Sequence, residues 1–265
     1  KYIFFNDKDY PTQWDDYGQY ASIGSILFEE INNPGNKSLD SFSLARPLYS
    51  NIKLLPLINE IVYVMSLPDA TLQVNVDGGK QFYYFQSINI WNSIHHNAVP
   101  NPLANSPTNA EDGDINLGNT FKERTGIRNL QPYEGDVLLE GRWGNTLRLG
   151  STINDSTPLN PWSDSGVSGE PIIIIKNGQS ETENDPWIPQ VENINTDKSS
   201  IYLTSNQKIP IGAASTDYSS YTPAFGEVPS SPNLYNGSQV IVNSGRLLFN
   251  SKNDHILLSS ARTIS

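Results

Sequence analysis

Apolar residues recur every eight positions over the last part of the chain. Laid in register, residues 238–265 read SQVIVNSG, RLLFNSKN, DHILLSSA and RTIS. One apolar column holds Val240, Leu248, Ile256 and Ile264, a second holds Ile241, Phe249 and Leu257, and a polar corner follows at Asn243, Ser251 and Ser259. A short fixed period predicts a β-solenoid, in which each repeat supplies a short strand and a bend and buries its apolar face only against neighbouring copies. Three and a half octads bury too little for a single-chain helix, so the pattern predicts several chains wound round one axis. The alternative is an ordinary meander whose strands are evenly spaced.

Upstream the patterning is also that of strands. YASIGSILFEEI (residues 20–31) alternates loosely, EIVYVMSL (60–67) is dense in β-branched and aromatic residues, and TLQVNV (71–76) alternates strictly. KQFYYFQSINIW (80–91) follows the turn Asp77-Gly78-Gly79, which predicts a hairpin. Residues 92–131 lose all periodicity, and a stretch that long reads as a functional excursion, a linker or an extended arm packed on another subunit, the last being favoured in an oligomer. Strand signals return in GDVLLEGRWGNTLRLGS (135–151), where Gly141-Arg142-Trp143-Gly144 marks a bend or bulged hairpin. PIIIIKNG (171–178), with four consecutive isoleucines, reads as a strand buried on both faces. SSIYLTS (199–205) and KIPIG (208–212) read as two more strands, and residues 213–237, rich in Ser, Pro and Tyr, as a linker into the octads.

Composition agrees with an all-β fold: 37% hydrophobic residues, frequent Gly, Pro, Asn and Ser, and no long helical period. The 17 basic against 28 acidic residues leave a net charge of −11, which argues against nucleic acid or an anionic membrane as partner. No apolar run approaches the roughly 20 residues of a membrane span. The absence of cysteine excludes disulfides and thiolate metal sites and suits assembly in a reducing cytoplasm. The start at Lys1, the stop within a repeat after Ile264 and the single Met65 inside a strand-like run lead us to expect a fragment or processed product.

Signals for chemistry are sparse. His95 and His96 are the metal candidates, yet neighbours on a strand point to opposite faces, so one ion would need a His from each of several subunits. His255 lies far off within an octad. Acidic groups cluster at Asp15-Asp16, Glu29-Glu30, Glu111-Asp112-Asp114 and Glu181-Glu183-Asp185. Of these, AEDGDINLG offers alternating oxygen ligands but lacks the twelfth-position acid of a full calcium loop, and reads as a solvated loop. Sequence patterns of hydrolases, metalloproteases and nucleotide-binding loops are missing. Trp143 and Trp162 fit β-sheet cores better than sugar stacking. We therefore expect no catalytic residues, no cofactor and no resident metal.

Two segments, ARPLYSNIKLLPLINEIVYVM with INIWNSIHHNAVPNP, and YEGDVLLEGRWGNTLRLGS with GEPIIIIKNG and SIYLTSNQKIPI, together with the octads, resemble the central baseplate hub or spike protein of contractile-tailed bacteriophages. Type VI secretion spikes share the plan. The resemblance implies an OB-fold barrel with Ile61, Val62, Tyr63, Val64, Phe82 and Tyr84 on its strands, then an intertwined triple-stranded β-helix. The domains expected are 1–131, OB-like with an irregular arm over about 92–131; 132–212, a β-rich middle; 213–237, a linker; and 238–265, the start of the needle. Val240, Ile241, Leu248, Phe249, Ile256, Leu257 and Ile264 would form the trimer core. Some members insert a lysozyme domain, which is largely helical; the region 131–237 reads as strands and loops, so murein hydrolysis is not expected. The implied function is that of a structural homotrimer in the virion tail baseplate, made in the host cytoplasm. It would bind other baseplate and tail-tube proteins and a spike-tip protein, and touch the host envelope transiently. A trimeric β-helical tailspike that degrades glycans, or a glycan-binding module, is the competing expectation.

Overall fold

A computed structural model describes residues 2–5, 15–31, 41–57, 60–68, 80–88, 127–153, 162, 169–179, 188–212, 230 and 233–260. The fold is all-β. Among the described residues, helix is limited to residues 15–16, a 3-10 turn, Gln19–Ser22, and Ser41, and no helix is long and apolar enough to cross a membrane. The chain divides into two compact units, one of Lys1–Ile94 and Ala98–Glu123, the other of His95–Asn97 and Arg124–Ser265.

In the first unit β1 (Tyr2–Ile3), β2 (Ile26–Phe28), β3 (Ser43–Pro47), β4 (Val62–Pro68) and β5 (Lys80–Ser87) form one sheet, ordered β1-β2-β3-β5-β4. Neighbours are antiparallel except β3 and β5, which run parallel with Ala45 opposite Phe82. A parallel pair needs a crossover, and here β4 is made within that crossover and returns to the free side of β5. Ile3, Ile26, Ala45 and Tyr84 are buried together, with Phe28, Val62, Val64 and Phe82 packed on them. Residues from both outer strands thus meet in one core, so the sheet curls round its own side chains. The strand-like run 20–31 is shorter than its pattern predicts: only Ile26–Phe28 is strand. Gly18 and Gly24, at φ of +96° and +84°, turn the backbone through the left-handed region on the way in. The carbonyl of Gly24 accepts the Tyr84 hydroxyl at 2.5 Å. Burial pushes the Tyr84 phenol up to about 12. The β4–β5 pairing also places the predicted 60–67 strand against the 80–91 strand; TLQVNV and its glycine turn lie outside the described residues.

The second unit is an antiparallel meander of β6 (Val137–Glu140), β7 (Thr146–Ser151), β8 (Pro171–Asn177), β9 (Ser199–Thr204) and β10 (Gln239–Ser244), in sequential order across the sheet. The β6–β7 hairpin closes at the predicted bend, with Gly144 at φ +82° and the Gly141 N–H bonded to the Asn145 carbonyl. KIPIG does not become a strand. Pro210 lacks the N–H that a ladder needs, and the segment instead drops Ile209 into the core as part of a covering loop. The first octad does form a strand, but as the edge of this sheet, paired along its length to β9. It therefore belongs to the same folded unit as the β-rich middle.

Cross-strand register sorts the sheet into two unlike faces. On the inner face Arg148, Ile174, Tyr202 and Ile241 stand opposite one another across four strands. Tyr133, Trp162, Ile194 and Ile209 close over this row from the connecting segments, making the main apolar core.

Replacing Tyr84 by Phe removes the donor to a buried carbonyl and is expected to cost about 1–2 kcal/mol. Urea unfolding of the full chain, followed by tyrosine and tryptophan fluorescence, measures this.

Candidate functional site

Four features outside the ordinary core bear on function: a buried ion cluster, a bare apolar face, an exposed apolar tail, and a cleft in the first unit.

The ion cluster centres on Arg148, whose side chain is fully buried in the middle of β7. Its Nε donates to Glu192 Oε1 at 2.7 Å and its Nη2 to Glu192 Oε2 at 3.0 Å, a bidentate fork. Nη1 donates to Asp136 Oδ2, and Nη2 also reaches the Gln131 carbonyl at 2.9 Å. The guanidinium carbon lies 5.2 Å from the Tyr133 ring centre and 5.7 Å from that of Trp162. Four hydrogen bonds to oxygens and two flanking ring faces thus hold the cation. Burial alone would lower the Arg148 pKa, but hydrogen bonding and charge from Glu192 and Asp136 outweigh it and hold the group above its usual value. One register step away on β8, Lys176 Nζ sits 3.7 Å from Asp197 Oδ1, both side chains fully buried. Burial drives the Lys176 ammonium below its usual pKa, against the attraction of Asp197, Glu192 and Glu140. It drives Asp197 and Glu140 above the carboxylate range. Asp197 is held by the Asn193 N–H at 2.9 Å, and Glu140 Oε2 accepts the Leu130 N–H at 3.0 Å. The cluster staples the segments around 131–136 and 190–197 onto the sheet. It is enclosed by Tyr133 and Trp162, an arrangement suited to structure rather than to turnover.

The outer face of the same sheet is aliphatic in two full rows. One row runs Leu139, Leu147, Ile175, Ile201, Val242 across the five strands, and the next runs Val137, Leu149, Ile173, Leu203, Val240. Asn177, Ser199 and Ser244 border the first row, and Ser151 and Pro171 lie beyond the second. Val240 is 70% exposed and Leu139 61%. The isoleucine run, predicted to be covered on both faces, is covered within the chain on one: Ile172 and Ile174 are buried while Ile175 stands 45% exposed. The alternation of TLRLG is likewise turned inside out, with the arginine inward and Leu149 outward.

Past Gly245 the chain pairs with no strand through residue 259 among the described residues, and it bends at residues 252–254. Leu248, Phe249 and Leu257 are 76%, 73% and 85% exposed, and Leu247, Ile256 and Leu258 are also exposed.

In the first unit an open cleft of about 290 Å³ lies between β1–β2 and β4. Ile3, Ile26, Val62 and Val64 contribute to its lining together with Glu29, Glu30 and Glu60. Glu60 Oε2 accepts the Leu57 N–H at 2.7 Å and so is committed to its own loop.

The residues singled out by sequence are distributed unevenly over these features. Val240 is on the bare face, whereas Ile241 is turned into its own chain's core. Leu248, Phe249, Ile256 and Leu257 are on the exposed tail; Ile264, His95 and His96 lie outside the described residues. The corner residue Asn243 donates from its side chain to the Ile194 carbonyl, and Ser251 accepts the Asp254 N–H at 3.2 Å. His255 is on the surface beside Asp254. Trp162 is a core residue and Trp143 is half exposed. Among the described residues no group of three or more His, Asp or Glu could hold a metal ion. Sequence reading missed Arg148 and its partners, because Asp136 and Glu192 are brought to it only by folding.

Arg148→Met would strand Glu192 and Asp136 without their cation, and we expect a loss of about 3–5 kcal/mol in urea unfolding of the full chain. Glu140→Gln should show a pH dependence of defined sign. A folded-state carboxyl pKa above its unfolded value means that ionisation costs stability as pH rises from the ordinary Glu value of about 4.3 through the raised one. The melting temperature of the Gln variant, relative to the parent, should therefore improve between about pH 4 and pH 7. A relative change of the opposite sign would contradict the assignment.

Comparison with protein-family models, with curated proteins and with solved structures returned no match.

Proposed function

We propose that the chain is a structural, non-enzymatic subunit of a homotrimeric spike, of the kind that forms the central hub of a contractile tail baseplate and helps to pierce a cell envelope. The observation that carries this reading is the tail. Residues 246–259 pair with no strand among the described residues and carry exposed Leu248, Phe249, Ile256 and Leu257 at the octad spacing. A segment with exposed apolar side chains and no sheet partner is unstable against water and against aggregation unless other chains cover it. An intertwined three-stranded β-helix satisfies both needs at once. Within it the shared interior would draw on Leu248, Phe249, Ile256, Leu257 and Ile264, and start from Val240, while Ile241 stays with its own chain.

Support for an OB-type barrel in the first unit is the strand order β1-β2-β3-β5-β4 with its one parallel pair between β3 and β5, the connection of a five-stranded Greek-key barrel. The curling of the sheet round Ile3 and Val62 is consistent with it. In this reading the barrel is a collar, the β-rich unit a shoulder, and the octads the upper needle. Force passes along a shaft in which the strands of three chains bond to each other and leave no open edge.

Light scattering on the full chain should give about three times 29.4 kDa. A chain ended after Gly245, which keeps β10 in its sheet, should lose that assembly, and Ile256→Asp, which would bury three charges near one axis, should abolish it too. A monomeric parent chain would overturn the proposal.

A further inference from the structure

We infer that the bare aliphatic face of the β6–β10 sheet is a self-association surface, covered by a second copy of this chain. The inference rests on the proposed pairing of octad tails between copies.

Three observations bring the same partner to both places. The face and the tail are continuous: β10 carries Val240 and Val242 on the outer face, and only Asn243, Ser244 and Gly245 separate Val242 from Arg246 and the exposed Leu247 and Leu248. At about 3.3 Å per extended residue, a copy that covers Leu248 comes within roughly 20 Å of Val242. Second, the two aliphatic rows hold no charged or polar residue across five strands, although the chain carries a net charge of −11. Two identical acidic chains can meet there without opposing like charges, and the polar border at Asn177, Ser199 and Ser244 fits the rim of an interface whose centre is dry. Third, area: five strands spaced about 4.8 Å apart and two apolar rows deep amount to roughly a few hundred Å². That is short of the roughly 800 Å² per partner that a stable interface buries. The exposed Leu247, Leu248, Phe249, Ile256, Leu257 and Leu258 of the adjoining tail add to it, so the face is best understood as the shoulder of the same interface.

The face positions are exposed in the single chain, so a charge placed there leaves the internal core intact. Ile175→Asp in the full chain should weaken assembly by about a hundredfold or more in dissociation constant, read by light scattering over a dilution series, with unchanged circular dichroism. Because the native chain has no cysteine, single-cysteine variants give a second readout that does not depend on the Asp variant folding. Ile175→Cys in the assembled protein should react with a water-soluble maleimide at least about tenfold more slowly than Lys208→Cys, an exposed site on the same unit, and should become reactive when Leu257→Asp separates the chains. If Ile175→Asp assembles like the parent and Ile175→Cys reacts as fast as Lys208→Cys, the inference fails while the tail-driven trimer stands. If Ile175→Cys stays protected in the separated chain, the cover is intramolecular and the inference fails as well. A parent chain that is monomeric at every concentration overturns both this inference and the proposed trimer.

Discussion

The Arg148 fork is the constraint on which the second unit depends. A guanidinium in the middle of a central strand is among the most costly groups to bury, and it is tolerated because Glu192 takes it bidentately while Asp136 and the Gln131 carbonyl take two more of its donors. Those three partners lie on the segments that roof the sheet. Satisfying one cation therefore pins both covering segments, and the cover in turn places Tyr133 and Trp162 over Ile174 and Tyr202. The neighbouring Lys176–Asp197 pair repeats the device one register step away, at longer range and with an ammonium held below its ordinary pKa.

That arrangement explains why the sheet has two faces of opposite character. Charge and hydrogen bonding are concentrated inward, where they specify one docking of irregular loops beside the apolar core, and the two outward rows are wholly aliphatic, with Ile175 and Val240 among the residues left exposed. A sheet built for a monomer would be expected to do the reverse. The same division continues past Gly245, where backbone pairing stops and apolar side chains do not. Outer face and tail both present exposed apolar side chains, which is the observation behind the proposed assembly.

The first unit is held differently. Its core is aromatic and aliphatic, with Phe28 and Phe82 packed edge to face and the Tyr84 hydroxyl reaching across to a glycine carbonyl in a left-handed turn. The charges near its cleft, Glu29, Glu30 and Glu60, stand at the margin and do not organise the fold. Local patterns were legible here for β4 and β5, whose runs of β-branched and aromatic residues predict strands in nearly the observed places. β3 was not, because SLARP offers neither alternation nor a dense apolar run, and becomes a strand only by lying between β2 and β5.

What the sequence by itself determined is what depends on near neighbours: an all-β chain, most strand positions, the bend at Gly141 to Gly144, and the octad period that marks the tail as unable to bury itself. Strand periodicity and turn geometry act over a few residues, so they can be read in order along the chain. The tertiary structure alone decided the rest: the parallel pairing of β3 with β5, the capture of the first octad as β10, and above all which side of TLRLG faces the core. A rule of alternation would bury Leu147 and Leu149 and expose Arg148. The opposite occurs because Glu192, 44 residues away in sequence, arrives to neutralise the arginine, and no local pattern records that meeting.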